Sequence, residues 1–288
     1  MNYKIQQDRN DTIVVGVRNF NPAQVLECGQ CFRWIPEGTG YTGIAHGRRL
    51  RIELKGENLI LKDVSLNEYE YIWKDYFDLS RDYDLIHRHY FVDTSLTKAV
   101  NYSPGLRVMR QDPWETLISF ILSQNSNIPR IQKMISQLCL YFGEALQHTN
   151  GPISQGRQRP CDGYAFPTPD VLAACTPEKL APIKTGYRAP YIIDAACKVA
   201  SGEIDLTALQ SQASEDVYKA LLTIHGVGPK VAECVLLFGF GRVERCPMDV
   251  WMKKVMSTLY PNGFPDNLKP TAGIAQQYLF HYARMRQM

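Results

Sequence analysis

Short stretches of the first hundred residues carry apolar side chains at every second position, which predicts β-strands. Residues 12–17 are rich in β-branched side chains, and apolar and charged residues alternate through 50–55. A turn and a renewed alternation at 56–61 indicate a β-hairpin. At 65–77, a serine followed three residues later by a glutamate forms a capping box, which predicts a helix. This region is therefore predicted to be α+β with an antiparallel sheet.

In the rest of the chain the apolar spacing changes to that of helices. Asp112, followed by proline, predicts the start of one helix, and Asn127 predicts the start of the next, which ends at Gly143. Glycine, proline and glutamine are frequent in 149–168, which predicts a loop. Further helices are predicted at 169–175, 177–182, 188–201, 215–224, 229–239, 250–259 and 271–285.

The two patterns divide the chain into an α+β domain over residues 1–108 and an all-α domain over residues 109–288. The 288 residues are 45% hydrophobic and 21% charged, which excludes global disorder and a collagen-like chain. No stretch approaches the ~18 apolar residues of a spanning helix, and the polar start is unlike a secretory signal. Eight scattered cysteines are typical of reduced thiols in a cytosol. The net charge of +3 neither requires nor excludes a nucleic-acid partner.

The segment from Leu221 to Val250 carries the chemistry. Gly226, Val227 and Gly228 interrupt the helical spacing, and Pro229 restarts it, which predicts a tight hairpin between two helices. Unpaired backbone N–H groups at the start of the second helix form an anion site that suits a phosphate diester. The alternative is an ordinary helix–turn–helix corner packed on Val227, and for these three residues alone it has more weight.

Lys230 favours the functional interpretation, because a cation in the first turn of a helix is disfavoured by the helix dipole. Such a position favours the neutral amine, which is a nucleophile. Asp249 follows nineteen residues later, directly before an apolar helical run, and its first predicted role is the helix N-cap. A carboxylate there can also stabilise positive charge that develops on a sugar.

The sequence GVGPKVAEC at 226–234, followed by PMDV at 247–250, resembles the helix–hairpin–helix DNA glycosylases, and within them the 8-oxoguanine DNA glycosylase/AP lyase family. A bacterial member is expected. The other motifs agree in order and cover nearly the whole chain. They are CGQCFRW at 28–34, QDP at 111–113 with SQNSNIPRI at 123–131, GYRA at 186–189, and the helix from Gln276 to Phe280.

The resemblance implies a bifunctional enzyme of base excision repair. Lys230 is expected to attack the anomeric carbon of an oxidised guanine nucleotide, with help from Asp249. The base leaves, a Schiff base forms, and β-elimination cuts the strand. Because the base must leave the duplex to be reached, it is expected to be flipped into a pocket.

The resemblance also implies how the remaining site residues divide. The damaged-base pocket is expected to contain Gly29, Phe32, Cys234, Gln276 and Phe280. The opposite cytosine and the wedge are assigned to Asn125, Arg130, Tyr187 and Arg188, and the DNA phosphate to Gly226, Val227 and Gly228. The Gly29 carbonyl would accept the imidazole N–H that only oxidised guanine carries, a difference of ~1–3 kcal/mol. Taken singly, Asn125 also fits a helix C-cap, Phe280 fits a core position, and Tyr187-Arg188 fits an ordinary loop.

Two positions depart from the family pattern. Ser126 replaces the middle asparagine of its loop, and Trp251 stands where the eukaryotic branch commonly has histidine. Cys28 and Cys31 form a C-x-x-C pair, but one pair alone is weak evidence for zinc. No cysteine follows Cys246, so the C-terminal iron–sulfur ligands of some relatives are absent from the sequence.

We therefore expect no metal and no cofactor, a monomer, double-stranded DNA containing oxidised guanine as the partner, and no membrane association. The expected location is the cytoplasm of a bacterium, with the chromosome, or the nucleus of a eukaryote. Two alternatives remain open at this point. One is a damaged-DNA-binding protein without catalysis, and the other is a redox or metal protein built on the C-x-x-C pair.

Overall fold

A computed structural model describes residues 3–146 and 163–286. Among these residues six strands form one sheet, in the order β1-β2-β6-β5-β4-β3. The strands are β1 (Lys4–Asp8), β2 (Asp11–Val15), β3 (Trp34–Glu37), β4 (Gly40–Ala45), β5 (Arg48–Lys55) and β6 (Asn58–Lys62). The β1–β2, β2–β6 and β3–β4 pairs are antiparallel. The predicted antiparallel sheet and its hairpin at 50–61 are therefore confirmed.

The alternation in the sequence corresponds to one buried face of the sheet. Thr12 pairs with Leu61 and Val14 pairs with Leu59, and all four side chains are buried. The Thr12 hydroxyl donates to the Val64 carbonyl at 2.6 Å, so this buried polar group is hydrogen-bonded.

Fourteen α-helical segments are assigned among the described residues. They are α1 (Pro22–Leu26), α2 (Leu66–Glu68), α3 (Lys74–Tyr76), α4 (Tyr83–Tyr90), α5 (Thr94–Tyr102), α6 (Pro113–Ser123), α7 (Ile128–Phe142), α8 (Pro169–Ala173), α9 (Pro177–Leu180), α10 (Ala189–Ala200), α11 (Ser214–Leu222), α12 (Pro229–Phe238), α13 (Val250–Leu259) and α14 (Ala272–Arg286). Each helix predicted after residue 168 is present, with ends shifted by a few residues. Residues 149–162 of the predicted loop at 149–168 lie outside the described residues. In the remaining part, Tyr164 forms an isolated β-bridge with Ala145.

The predicted N-caps form the expected hydrogen bonds. The Ser65 hydroxyl accepts from a backbone N–H at 3.2 Å, the Asp112 carboxylate at 2.8 Å and the Asn127 amide oxygen at 3.0 Å. The helix predicted over 65–77 differs in one respect, because a π-helical turn at Tyr69–Trp73 separates α2 from α3. That turn buries Tyr69 and Trp73, so packing of large aromatic side chains accompanies the change in helical hydrogen bonding.

The described residues group into two compact units. One is drawn from 1–30, 52–110 and 241–288, and the other from 31–51 and 111–240. We call them the first and the second unit. The division at residues 108 and 109 that the sequence suggests stays a prediction.

A buried histidine lies in the core of the first unit. The Nε2 atom of His87 lies 2.8 Å from the Tyr278 hydroxyl, and that hydroxyl donates to the Leu106 carbonyl at 2.7 Å. Burial lowers the pKa of His87 to about 4. The folded protein therefore holds a neutral imidazole at pH values where the unfolded chain binds a proton.

Acidification should consequently destabilise the protein through this residue. Because the folded pKa is about 4 and the ordinary value is 6.5, stability is lost as the pH falls from 6.5 towards 4, by on the order of 2–3 kcal/mol. Gln at position 87 can donate to Tyr278 and does not titrate, so His87→Gln should flatten this part of the stability profile. Urea unfolding between pH 4 and 7 measures it. His89→Gln, at an exposed position of α4, is the matched control, and an equal flattening in both variants would contradict the assignment.

Candidate active site and nucleic-acid interface

The hairpin, which comprises residues 226–228, joins α11 to α12 in the second unit. Gly226 has φ +78°, a backbone conformation that glycine tolerates and other residues resist. A Cβ atom at this position would also lie within 2.6 Å of three atoms of the Tyr191 ring. Val227 is buried, whereas a Cβ atom at Gly228 would meet nothing within 4 Å. The hairpin is thus packed at its first two residues and open at the third.

Gly228 is the N-cap of α12 and provides no side-chain cap. Since Pro229 has no N–H group, the next backbone donors are those of the first turn of α12, and they are available to an anion. The predicted tight turn between two helices is therefore present, with the open N-terminus that a phosphate site requires. Its use as a phosphate site stays a prediction.

Lys230 is the second residue of α12 and is half-buried. Its Nζ atom lies 5.1 Å from the centroid of the Phe120 ring, at the distance of a cation–π contact. The Phe120 ring in turn stacks on Phe238 at 5.5 Å and meets Phe32 edge to face at 5.8 Å. The predicted nucleophile therefore lies on an aromatic cluster that contains one residue of the predicted base pocket.

Cys234, another predicted pocket residue, follows Lys230 by one helical turn of α12 and is 3% exposed. Residues four apart on a helix lie on the same face. The structure therefore places Lys230 and Cys234 on one side of α12.

Phe32 is held in place by its neighbour in the motif. The buried Arg33 guanidinium donates to the Glu115 carboxylate at 3.3 Å and to the Tyr164 carbonyl. Burial raises the pKa of Glu115 to about 7, although Arg33 opposes the shift. The Trp114 indole donates to the Pro167 carbonyl at 2.8 Å. These contacts join the residue before β3 to α6, and both to the segment after residue 162.

Residues 124–127, which we call the asparagine-rich loop, connect α6 to α7. Asn125 has φ +46° and an exposed side chain, and it comes one residue after the C-cap of α6, which is Gln124. The side chain of Arg130, in the first turn of α7, is also exposed. Both side chains are therefore available to a partner.

Residues 186–188, which we call the Tyr-Arg turn, contact this loop directly. Tyr187 is 51% exposed, as expected of a wedge. Arg188 is 2% exposed, and its guanidinium donates to the carbonyls of Gln124 at 2.9 Å, Asn125 at 3.1 Å and Thr185 at 3.1 Å. In this structure Arg188 therefore holds the backbone of the loop, a role that the sequence did not indicate.

In the first unit, Gly29 has φ +93°, so it occupies a conformation that favours glycine. The buried Gln30 side chain fixes this segment, because it donates to the Val25 and Arg107 carbonyls and accepts from the Met109 N–H, each at 2.8 Å. Helix α14 adjoins the same segment, since the Gln277 amide donates to the Cys28 carbonyl at 3.4 Å.

Gln276 and Phe280 lie one turn apart on α14. Gln276 is 5% exposed, and its Oε1 atom is buried without a hydrogen-bond partner among the described residues. A buried acceptor without a donor costs about 1–3 kcal/mol, so this atom is suited to accept from a ligand. Gln276 and Phe280 therefore lie on the helix that contacts the Gly29 segment through Gln277.

Asp249, in the first unit, is the N-cap of α13, as predicted. Its carboxylate accepts from the Met252 N–H at 2.6 Å. One carboxylate oxygen makes this contact, which leaves the other able to act elsewhere. That Asp249 acts together with Lys230, and that the α14 residues share one pocket with Cys234, stay predictions.

The structure provides no support for the alternative of a redox or metal protein built on the C-x-x-C pair. Cys28 and Cys31 are buried and are not joined by a disulfide, and burial raises the pKa of the Cys28 thiol. Among the described residues, no group of three or more His, Cys, Asp or Glu side chains could hold a metal ion. No described helix has the length and apolar character needed to cross a membrane.

Sequence reasoning missed three residues that organise these segments. The Phe120 ring contacts the Lys230 amine, and the Tyr191 ring packs against Gly226. Gln124 hydrogen-bonds the asparagine-rich loop to the hairpin at Gly226. Each lies on a helix or at its end, where an aromatic or a glutamine has no special sequence signal, and each acts over a long separation in sequence.

Comparison with known proteins agrees with this architecture. Residues 12–117 match the family described as 8-oxoguanine DNA glycosylase, N-terminal domain, and residues 118–269 match the HhH-GPD superfamily base excision DNA repair proteins. The N-glycosylase/DNA lyase of Saccharomyces cerevisiae is 32% identical over 264 residues, which are 83% of this chain and 68% of that protein.

Two solved structures align along the whole length of both chains. One is MBOgg1 in complex with a low-affinity DNA ligand, with 40% identity and a TM-score of 0.92. The other is the 8-oxoguanine glycosylase/lyase of Clostridium acetobutylicum in complex with double-stranded DNA containing cytosine opposite 8-oxoguanine, with 34% identity and a TM-score of 0.89. The chain belongs to the HhH-GPD superfamily of base excision DNA repair proteins and, within it, to the 8-oxoguanine DNA glycosylase/AP lyase family. The predicted family and fold class are confirmed.

Proposed function

We propose that this protein excises 8-oxoguanine from double-stranded DNA through a Schiff base on Lys230 and cleaves the resulting abasic site by β-elimination. The observation that carries the proposal is the position of Lys230 in the first turn of α12, directly after a hairpin with an open helix N-terminus. This arrangement supports an amine nucleophile next to a proposed binding site for the DNA backbone.

The residues of the second unit support binding of the duplex. The hairpin is proposed to hold a phosphate through backbone N–H groups. Asn125 and Arg130 have exposed side chains that can hydrogen-bond the orphaned base, and Tyr187 can enter the opened stack. Arg188 is assigned to the opposite base by resemblance, and its guanidinium must exchange some of its carbonyl contacts to reach that base.

In the chemical step, the unprotonated Lys230 amine attacks C1′ of the flipped nucleotide and the bond from C1′ to the base breaks. The base leaves with the bonding electron pair and takes up a proton. Sugar ring opening gives the Schiff base, and β-elimination then breaks the 3′ C–O bond. Asp249 is proposed to stabilise the positive charge that develops on the sugar.

The hydrogen bonds that recognise the base are assigned to residues of the first unit. The buried, unpartnered Oε1 atom of Gln276 can accept from the pairing edge of a guanine derivative. The Gly29 carbonyl is proposed to accept the imidazole N–H that distinguishes 8-oxoguanine. Normal guanine has a lone pair at that nitrogen and would leave the Gly29 carbonyl without a donor.

The experiment that tests the function compares three duplexes of one sequence. They contain 8-oxoguanine, guanine or an abasic site opposite cytosine. We expect base release from the first, none from the second, and strand cleavage of the third. Binding to the first duplex without release would instead support the alternative of a damage-binding protein without catalysis.

Gly29→Ala separates recognition of the base from the later chemistry. Because Gly29 has φ +93°, alanine should cost about 1–2 kcal/mol of stability whatever its role. Gly16→Ala is the matched control, since Gly16 has φ +68° with open space around it. We expect similar melting temperatures for the two variants, and at least about tenfold slower excision of 8-oxoguanine in Gly29→Ala alone.

Cleavage of a ready-made abasic site has no base to recognise, so Gly29→Ala should largely spare it. Excision and abasic-site cleavage that fall in parallel, beyond the effect in Gly16→Ala, would reject the assignment of Gly29 to the base pocket.

We further propose that the protein acts where the chromosome lies, in the cytoplasm of a bacterium or the nucleus of a eukaryote.

A further inference from the structure

Gln124 makes polar contacts in two directions. Its side-chain amide nitrogen donates to the Gly226 carbonyl at 3.1 Å. Its own main-chain carbonyl accepts from Arg188 Nε at 2.9 Å and from the Tyr187 hydroxyl at 3.3 Å. One half-buried residue of the asparagine-rich loop therefore contacts both the hairpin and the Tyr-Arg turn.

The segments that Gln124 joins are each held by further contacts. Gly226 is held at φ +78° under the Tyr191 ring, and Asn125 is held at φ +46° by the guanidinium of Arg188 on its carbonyl. The hairpin is further fixed because the His225 N–H donates to the Asp194 carboxylate at 2.7 Å. A hydrogen bond between two such segments restricts how they can move relative to each other.

We infer that Gln124 is a positioning residue whose side-chain amide locks the hairpin to the asparagine-rich loop, so that phosphate binding places the loop against the opposite base. The inference rests on the proposed function. Phosphate contacts fix the register of a protein on a duplex, whereas side chains at the bases determine which base is accepted. Through the amide of Gln124, the position of the phosphate contacts at the hairpin determines the position of the base contacts at the asparagine-rich loop.

The contact requires a donor at this position, because its partner is a main-chain carbonyl. Methionine has nearly the length of glutamine and cannot donate a hydrogen bond. Glutamate keeps the shape and presents only acceptors when ionised. Neither substitution removes the main-chain carbonyl of residue 124, so the Tyr-Arg turn keeps its contacts while the tie to the hairpin is lost.

The test measures single-turnover excision of 8-oxoguanine opposite cytosine and opposite adenine by the wild type, Gln124→Met and Gln124→Glu. We expect the ratio of the two rates to fall about fivefold in Gln124→Met, as for loss of one hydrogen bond, and at least as far in Gln124→Glu. Ser123→Ala is the matched control, because among the described residues the Ser123 hydroxyl bonds within its own helix, to the Phe120 carbonyl at 2.8 Å.

Both rates come from one preparation, so a smaller folded fraction cannot change their ratio. An unchanged ratio in Gln124→Met, or an equal change in Ser123→Ala, would overturn the inference. So would a wild-type ratio near one. Failure of the wild type to excise opposite cytosine is a separate result, which rejects the proposed function itself.

Discussion

Lys230→Gln should lose excision of 8-oxoguanine by at least about a thousandfold, because glutamine has no nucleophilic nitrogen. Cleavage of an abasic duplex through a Schiff base should be lost with it. Binding should persist, since the hairpin amides and the residues of the asparagine-rich loop remain. Single-turnover kinetics and a binding titration at one fixed salt concentration measure the two effects.

Lys219→Gln is the control for Lys230→Gln. Lys219 is exposed on α11, the other helix of the hairpin, so its replacement removes the same charge. We expect its excision rate to stay within about threefold of the wild type, as for a screened surface charge. Excision by Lys230→Gln at the control's rate would show that another group is the nucleophile.

Asp249→Asn should slow excision by about a hundredfold, in the range seen when one stabilising group of a transition state is removed. Asparagine is as good an N-cap as aspartate, and its amide oxygen can still accept from the Met252 N–H. The melting temperature should therefore change little. The substitution therefore distinguishes the effect of the Asp249 charge on excision from the effect of its N-cap on stability.

Asp82→Asn is the matched control, because Asp82 caps α4 in the same unit and its carboxylate accepts from the Leu85 N–H at 3.0 Å. It should keep both stability and excision. Asp249→Ala removes cap and charge together and should cost about 1 kcal/mol of stability as well. Excision by Asp249→Asn at the wild-type rate would restrict Asp249 to capping α13.

The N-caps and the sheet alternation could be predicted because both depend on neighbouring residues. Asp249 before an apolar run, or Leu59 and Leu61 on one buried face, follows from local spacing. The edge strand β1 could not be found in this way, because its side chains are mostly exposed and polar. Its pairing with β2 is made by the backbone.

Helices α4 and α5 were also missed, although Asp82 and Asp93 cap them. Aspartate is common in turns as well as at N-caps, so it does not identify a helix without a clear apolar stripe. Helix α4 has aromatic and histidine residues where an aliphatic stripe would be expected, and Tyr83, His87 and Tyr90 are nevertheless buried.

In the candidate site, the sequence motifs identified candidate residues, but the contacts of those residues could not be predicted from the sequence. Gly29 has φ +93°, a conformation that its motif alone does not indicate. Arg188 was assigned to the opposite base, yet its guanidinium binds the carbonyls of the asparagine-rich loop. The contact of Gln124 with Gly226 spans about a hundred residues of sequence, beyond the range of any periodicity.

The central claim is that the reaction passes through a covalent bond between Lys230 and the sugar. Borohydride reduction during reaction with an 8-oxoguanine:cytosine duplex tests it most directly, with mass spectrometry of the digested adduct. We predict one adduct, on the peptide that contains Lys230, and none with the guanine:cytosine duplex. Release of the base without a trapped adduct, or an adduct on another lysine, would contradict the account.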